Sequence, residues 1–161
     1  MINKSEPTIT FARLTDISPD EFIAHMSDAR VAEHMPLLTF KWDQNAVSEF
    51  VATKEECWRR DGLGHEAILC NDTYAGWGGF QKEGDEWDYG LVLKPEFFGL
   101  GVHILKKAIE LAVADEKIPF VTFLLPNSRK KFVGLERLGA RFVEETEYDG
   151  VLFLKYRLVT E

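Results

Sequence analysis

Between Leu91 and Glu110 an apolar strand pattern runs into a turn carrying Gly99 and Gly101, and a helix pattern follows at once. The helix is read from Val102, Leu105, Ile109, Ala112 and Val113, which recur at helical spacing and form one apolar face. A strand feeding a helix through so short a turn is one half of a helix-and-returning-strand unit in a mixed sheet. Two readings of the turn stay open. The glycines serve a tight turn with positive φ, or they expose backbone N–H groups at the positive end of a helix dipole, where an anion binds. In the second reading Lys106 and Lys107 favour an anionic ligand. The common nucleotide motifs do not fit, because no G-x-x-x-x-G-K-[ST] run is present and Ile104 stands where G-x-G-x-x-G needs its third glycine.

With 161 residues the chain is expected to form a single domain, 1–161, with a core that needs no staples. Twelve Phe and 45% hydrophobic residues suit a packed globular protein. No apolar run reaches the roughly 20 residues of a membrane span, and Met1–Thr10 lacks a basic-then-apolar leader pattern. Cys57 and Cys70 are too few for a disulfide framework or a zinc site, so they are expected to pack as small apolar side chains, with no metal. These features together predict a soluble chain in a reducing, cytoplasmic setting. A net charge of −8 argues against a nucleic-acid surface and is compatible with a cationic substrate such as an amine.

Thr8–Leu14 alternates as a first strand. Ser18-Pro19-Asp20-Glu21 opens a helix expected to run to about His34, before Pro36. Asp43 opens a second helix with Val47, Phe50, Val51 and Trp58, ending near Gly62. Strands follow at His65–Cys70, Tyr74–Lys82 and Trp87–Leu93, with Gly76, Gly78 and Gly79 marking bulges or close approaches in the second of these. After the helix beyond Gly101, Pro119–Leu125 reads as a buried strand. A helix capped by Asn127 or Ser128 runs through Leu138 and is closed by Gly139. Two last strands, Ala140–Glu147 and Val151–Val159, join through an Asp149-Gly150 hairpin turn. The order β-α-α-β-β-β-α-β-α-β-β predicts an α+β fold, a mixed, mostly antiparallel twisted sheet of about seven strands flanked by four helices.

That order, with Asp-Tyr-Gly-Leu-Val-Leu-Lys-Pro-Glu-Phe-Phe-Gly-Leu-Gly-Val over Asp88–Val102, resembles the GNAT superfamily of acyl-CoA-dependent N-acetyltransferases. Gly90, the apolar triplet after it and Pro95 are most similar to the branch that contains the ribosomal-protein alanine acetyltransferases. Arg137-Leu138-Gly139-Ala140-Arg141-Phe142 is similar to the family's helix-end "LGF" signature. The likeness covers nearly the whole chain in element order, and its motifs lie between Asp88 and Phe142. It implies acetyl-CoA as co-substrate, with the pantetheine arm paired to the backbone of Leu91, Val92 and Leu93. It places the pyrophosphate on Phe98, Gly99, Leu100, Gly101, Val102 and His103. Asn127 resembles a family asparagine near the pantetheine, one residue further from Gly139 than is usual. Arg129, with Lys130 and Lys131, stands where the adenosine phosphates are reached, or simply forms a solvated helix start. Of the family pattern Gln/Arg-x-x-Gly-x-Gly/Ala only Gly101 matches. Phe98 and His103 replace the outer positions, which leaves backbone N–H groups as the main phosphate donors.

Acetyl transfer needs a neutral amine and hence a base. Asp88, two residues before Gly90 where this branch often has a carboxylate, is the first candidate, and Glu86, on the same strand face, the second. The alternative for both is an ordinary solvated carboxylate. Leu135 stands where many members carry a tyrosine acid, so Tyr148, Ser128 or a water is left for that role, unless Tyr148 only packs at the sheet edge. His65 and His103 are weaker candidates. The amine pocket is expected around the first two helices, the Met35–Trp42 linker with Leu37, Leu38, Phe40 and Trp42, and the final hairpin; core packing or a dimer contact explains that linker equally. The resemblance thus implies transfer of an acetyl group to a primary amine, a protein N-terminus or a small amine, by direct attack in a ternary complex, with a homodimer as a common assembly. The alternative is a CoA-binding regulatory or interaction module with impaired catalysis.

Overall fold

The computed structural model describes residues 7–35, 41–114, 118–126 and 133–160. Strand β1 (Ile9–Ala12) and a 3-10 turn at Leu14–Asp16 lead to helices α1 (Pro19–Met26), α2 (Ala29–Ala32) and α3 (Gln44–Asp61). Strands β2 (His65–Cys70), β3 (Thr73–Glu83) and β4 (Glu86–Leu93) follow. A 3-10 segment, Pro95–Leu100, enters α4 (Gly101–Val113), and β5 (Phe120–Pro126), α5 (Val133–Arg137), β6 (Arg141–Tyr148) and β7 (Val151–Val159) complete the chain. The seven strands form one sheet in the order β1-β2-β3-β4-β5-β7-β6, antiparallel except where β4 meets β5. This is the mixed α+β sheet that the sequence predicts.

The single helix expected from Pro19 to His34 is instead two. Asp28 adopts an extended conformation, and its carboxylate accepts a hydrogen bond from the Arg30 N–H at 2.8 Å. An aspartate at such a position favours starting a new helix over continuing the old one, because its side chain competes for backbone donors. The next helix obeys its signals: Asp43 accepts from the Ala46 N–H at 2.8 Å, and Gly62 ends the helix with a left-handed φ of 75°.

Each sheet face has its own helical layer. Ala67, Trp77 and Val92 point toward α1 and α3, where they meet Phe22, Met26 and Val47. Phe22 is fully buried, with edge-on ring contacts to Phe50 and Tyr74 at 5.9 and 5.4 Å. Burying such a ring contributes about 2–3 kcal/mol. On the opposite face Phe80, Tyr89, Val121 and Phe123 pack on Leu105, Ala108 and Ala112 of α4. Glycine at position 78 lets β3 and β4 approach closely, since a Cβ there would overlap the Gly90 carbonyl oxygen and stand 2.9 Å from Leu91 Cα. The β6–β7 hairpin turns at Asp149 and Gly150, with φ of 49° and 80°, the two positive angles that a two-residue I′ turn requires.

One seam differs from the rest. β4 pairs with β5 at Trp87↔Val121 and Asp88↔Thr122 and at no later pair, whereas β5 pairs with β7 along its whole length. From Tyr89 to Leu93 the β5-side edge of β4 therefore has no strand partner among the described residues.

Candidate active site

The unpaired edge of β4 carries Leu91, Val92 and Leu93. Their other edge is tied to Gly78, Trp77 and Gly76 of β3, which holds the strand rigid while leaving one row of backbone groups facing the gap. Leu91 is half-buried, and Val92 and Leu93 are buried in the two core layers.

Beyond the strand, the 3-10 segment Pro95–Leu100 runs straight into α4, whose start at Leu100 has no side-chain cap and whose first turn holds no acidic residue. The reading of this turn as one that needs positive φ is not what the structure shows. Gly101 is ordinary right-handed helix, with φ −54° and ψ −47°, and Gly99 is likewise outside the positive-φ set. A Cβ added at Gly99 would touch nothing within 4 Å, and one at Gly101 would only reach Leu91 Cδ2 at 4.0 Å. Neither backbone angle nor internal packing demands glycine here. What the glycines leave is open space in front of the helix start, the form of a cradle for backbone donors. Phe98, 46% exposed, and Val102 stand outward at its rim, and His103 is half-buried. Lys107 does not face this space, because its ammonium donates to the Ile9 carbonyl at 2.6 Å and so ties α4 to β1. Asn127, Ser128, Arg129, Lys130 and Lys131 lie outside the described residues, as do Leu37, Leu38 and Phe40.

The chemistry-bearing groups gather on the α3 side of the sheet. Asp88 of β4 lies in register with Gln81 of β3 and Thr122 of β5, and all three project to one face. The Thr122 hydroxyl donates to the Asp88 carboxylate at 3.3 Å. Burial pushes the Asp88 carboxyl up to about 7, reinforced by Glu83 and Glu86 and opposed by the Thr122 hydrogen bond and Lys155. A carboxyl group that ionises near neutrality is suited to taking up and giving back a proton. Glu86, on the same face, accepts from the Lys155 ammonium at 2.7 Å and is held as an ion pair. The structure brings Asp88 and Glu86 together with these two partners.

Tyr148 lies two strands beyond β5, still close enough to act electrostatically on Lys155. It ends β6 at the far edge of the sheet, beyond β5 and β7, is 47% exposed, and packs edge-on against Phe153 at 5.9 Å. Leu135 is half-buried against the α4-side core, and Trp42 is core, meeting Phe50 ring to ring at 5.3 Å.

Sequence reasoning passed over Lys54, Gln81 and Thr122. Lys54 reaches from α3 and donates to Gln81 Oε1 at 2.8 Å, with its ammonium over the rings of Phe50 and Trp77 at 5.8 and 5.6 Å. Burial lowers its pKa. The signal existed: Lys54 lies four residues after Phe50 and four before Trp58, inside the apolar stripe of its helix. Gln81 and Thr122 gain meaning only from strand register, which no local pattern gives.

The sequence matches no protein-family model and no curated protein. Solved structures do match. RimL, the ribosomal L7/L12 alpha-N-protein acetyltransferase in complex with coenzyme A, superposes with a TM-score of 0.76 at 14% identity over 94% of each chain. An acetyltransferase from Salmonella typhimurium that modifies the N-terminal serine of 50S ribosomal subunit protein L7/L12 gives 0.75 at 14% identity, covering 97% of this chain and 96% of that one. A GNAT-family acetyltransferase from Bacillus anthracis gives 0.73 at 14% identity over 99% and 98%. At such identities the likeness concerns architecture: this chain has the fold of the GNAT-family acetyltransferases.

Proposed function

We propose that this chain is an N-acetyltransferase that moves an acetyl group from acetyl-CoA to a primary amine, a peptide N-terminus or a small amine, within a ternary complex. The observation that carries the proposal is Asp88, a half-buried carboxyl group with a pKa near 7, set where β4 loses its partner in an acetyltransferase fold. The free β4 edge at Leu91, Val92 and Leu93 would hold the pantetheine amides, and the open helix start at Phe98, Gly99, Leu100, Gly101, Val102 and His103 the pyrophosphate. Asn127 and Arg129 are kept as further contacts to the co-substrate.

Acetyl-CoA supplies the acetyl group already activated as a thioester. The chain's task is to deliver the amine unprotonated. The ionised Asp88 takes one proton from the ammonium form of the acceptor, directly or through a water, and becomes the carboxylic acid. Thr122 keeps the carboxylate oriented. Glu86 is held by Lys155, and the negative charge that draws a cationic amine in comes from Asp88 with Glu83 nearby. Protonation of the departing thiolate falls to a water or to Tyr148.

Calorimetric titration with acetyl-CoA and CoA, with ATP as control, tests the co-substrate site. Binding of both CoA forms with little for ATP supports it, and no binding of acetyl-CoA removes the proposal. With a panel of short free-N-terminus peptides and small amines, CoA release should fall about 100-fold or more in Asp88→Asn with acetyl-CoA binding retained. A wild-type protein that binds acetyl-CoA and acetylates no amine would support the CoA-binding module instead.

A further inference from the structure

His65 is 7% exposed, and neither nitrogen of its ring has a hydrogen-bond partner among the described residues. Folded proteins rarely leave such a group unmet, because an unpaired buried donor or acceptor costs about 1–3 kcal/mol. Its setting indicates what meets it. His65 pairs with Gly79 of β3, and Gly79 pairs with Gly90 of β4. Two glycines in succession leave a bare lane across the sheet, and the imidazole lies along it. Its Cε1 and Nε2 edge ends 3.6 and 3.7 Å from the point where a Gly90 side chain would begin. The ring is sheltered by Trp77, at 5.6 Å between centroids, and the strand is fixed by Trp58, whose indole N–H donates to the His65 carbonyl at 2.8 Å.

Asp88 follows on the same face of β4, two residues from Gly90, or about 6.6 Å at about 3.3 Å per residue. The imidazole edge over Gly90 and the Asp88 carboxylate are therefore neighbours on this face, placed for a water between them to be shared. Such a water would also find Thr122 and Lys54 on this face, giving the two to four polar partners that a buried water needs.

We propose that His65 is a positioning residue of this site: its imidazole, laid over Gly79 to Gly90, holds a water that it shares with Asp88. The consequence for acetyl transfer rests on the function proposed above. The acceptor ammonium gives one proton to the water, the water gives one to the Asp88 carboxylate, and the imidazole ends as it began. Burial and the nearby Lys54 ammonium lower the ring's pKa well below its ordinary value, so it serves as a neutral hydrogen-bonding group rather than as the base.

The first test needs no acceptor. In 15N-labelled wild-type protein, the His65 ring nitrogen shifts are followed from pH 5 to 9, a range in which the ionisable groups around the site are Lys54 and Cys57 of α3, Glu66 of β2, whose carboxyl burial raises to about 6, Glu83 of β3, Glu86 and Asp88 of β4, and Lys155 of β7. The expected result is a small inflection near 7, without the large shifts of ring protonation, that disappears in Asp88→Asn. An inflection that survives Asp88→Asn, no inflection at all, or protonation of the ring itself would overturn the proposal. The second test compares His65→Gln, which keeps a hydrogen-bonding side chain, with His65→Leu. In the leading case His65→Leu loses about tenfold or more in kcat at unchanged acetyl-CoA affinity, and His65→Gln recovers most of it. Equal losses in both variants, or none in His65→Leu, would count against it. Failure of wild type to bind acetyl-CoA refutes the acetyltransferase reading alone, since the nitrogen titration still decides the shared water.

Discussion

Asp88→Asn is expected to stabilise the protein at alkaline pH, and the size of the effect follows from where the carboxyl group sits. Its pKa rises from 3.8 to about 7 on folding, chiefly because burial disfavours the charged form. The folded protein therefore holds this proton more tightly than the unfolded chain does. Below 3.8 the group is protonated in both states and costs nothing; as pH climbs toward 7 the unfolded chain ionises freely while the folded one resists, so stability falls, and above 7 the loss is complete. About three units at about 1.36 kcal/mol each set an upper value of about 4 kcal/mol. The carboxylate is only half-buried, so solvent screening reduces this to about 2 kcal/mol. Asparagine keeps the shape and can still pair with Thr122 but carries no charge. Urea unfolding of both proteins, monitored by tryptophan fluorescence between pH 4.5 and 8.5, should give curves about 0.5 kcal/mol apart at the acid end and about 2 kcal/mol apart, in favour of Asp88→Asn, at the alkaline end. Parallel stability profiles would show that Asp88 titrates alike in folded and unfolded chains, and would remove the electrostatic basis for its assignment as base.

Gly101→Ala should fold with unchanged or slightly raised stability, by up to about 0.5–1 kcal/mol in urea, since the backbone there is already helical. Its acetyl-CoA affinity should nevertheless drop, and an unchanged affinity would argue against the cradle. Gly78→Ala should behave in the opposite sense, losing about 3 kcal/mol or more or failing to accumulate folded, because its Cβ has no room beside Gly90 and Leu91; a melting temperature equal to wild type would contradict the close strand approach.

Much of this architecture is legible in the chain because its punctuation is local. Asp43 and Gly62 bound α3, and Asp149-Gly150 sets the last hairpin, through side-chain capping and positive φ that neighbouring residues alone decide. Asp28 is local too, but its capping competes with a helix pattern that runs past it, and pattern alone does not say which prevails. The site is less legible. Strand alternation places Asp88 and Glu86 on one face, yet that Gln81, Thr122 and Lys155 face them depends on register between strands far apart in sequence. The burial that moves Asp88 toward neutrality is a property of that assembly. The glycines illustrate the same limit, since Gly78 is needed for packing and Gly101 is not, and nothing in the sequence separates the two.

The narrow join between β4 and β5 also bears on how the molecule moves and assembles. Among the described residues two register pairs link β1–β4 to the β5-β7-β6 unit across the sheet, and they unite residues 34 positions apart in the chain. The β6–β7 and β3–β4 hairpins close over a few residues, whereas this join must wait for α4 to fold back, so it is a late step on the folding path. Packing rather than backbone pairing carries this join, since Phe80, Trp87 and Tyr89 share one buried cluster with Val121, Phe123, Tyr156 and Leu158. Amide hydrogen exchange is expected to show the backbone protons at this join opening without global unfolding. The weakest line in the sheet thus passes through the residue on which the proposed chemistry depends.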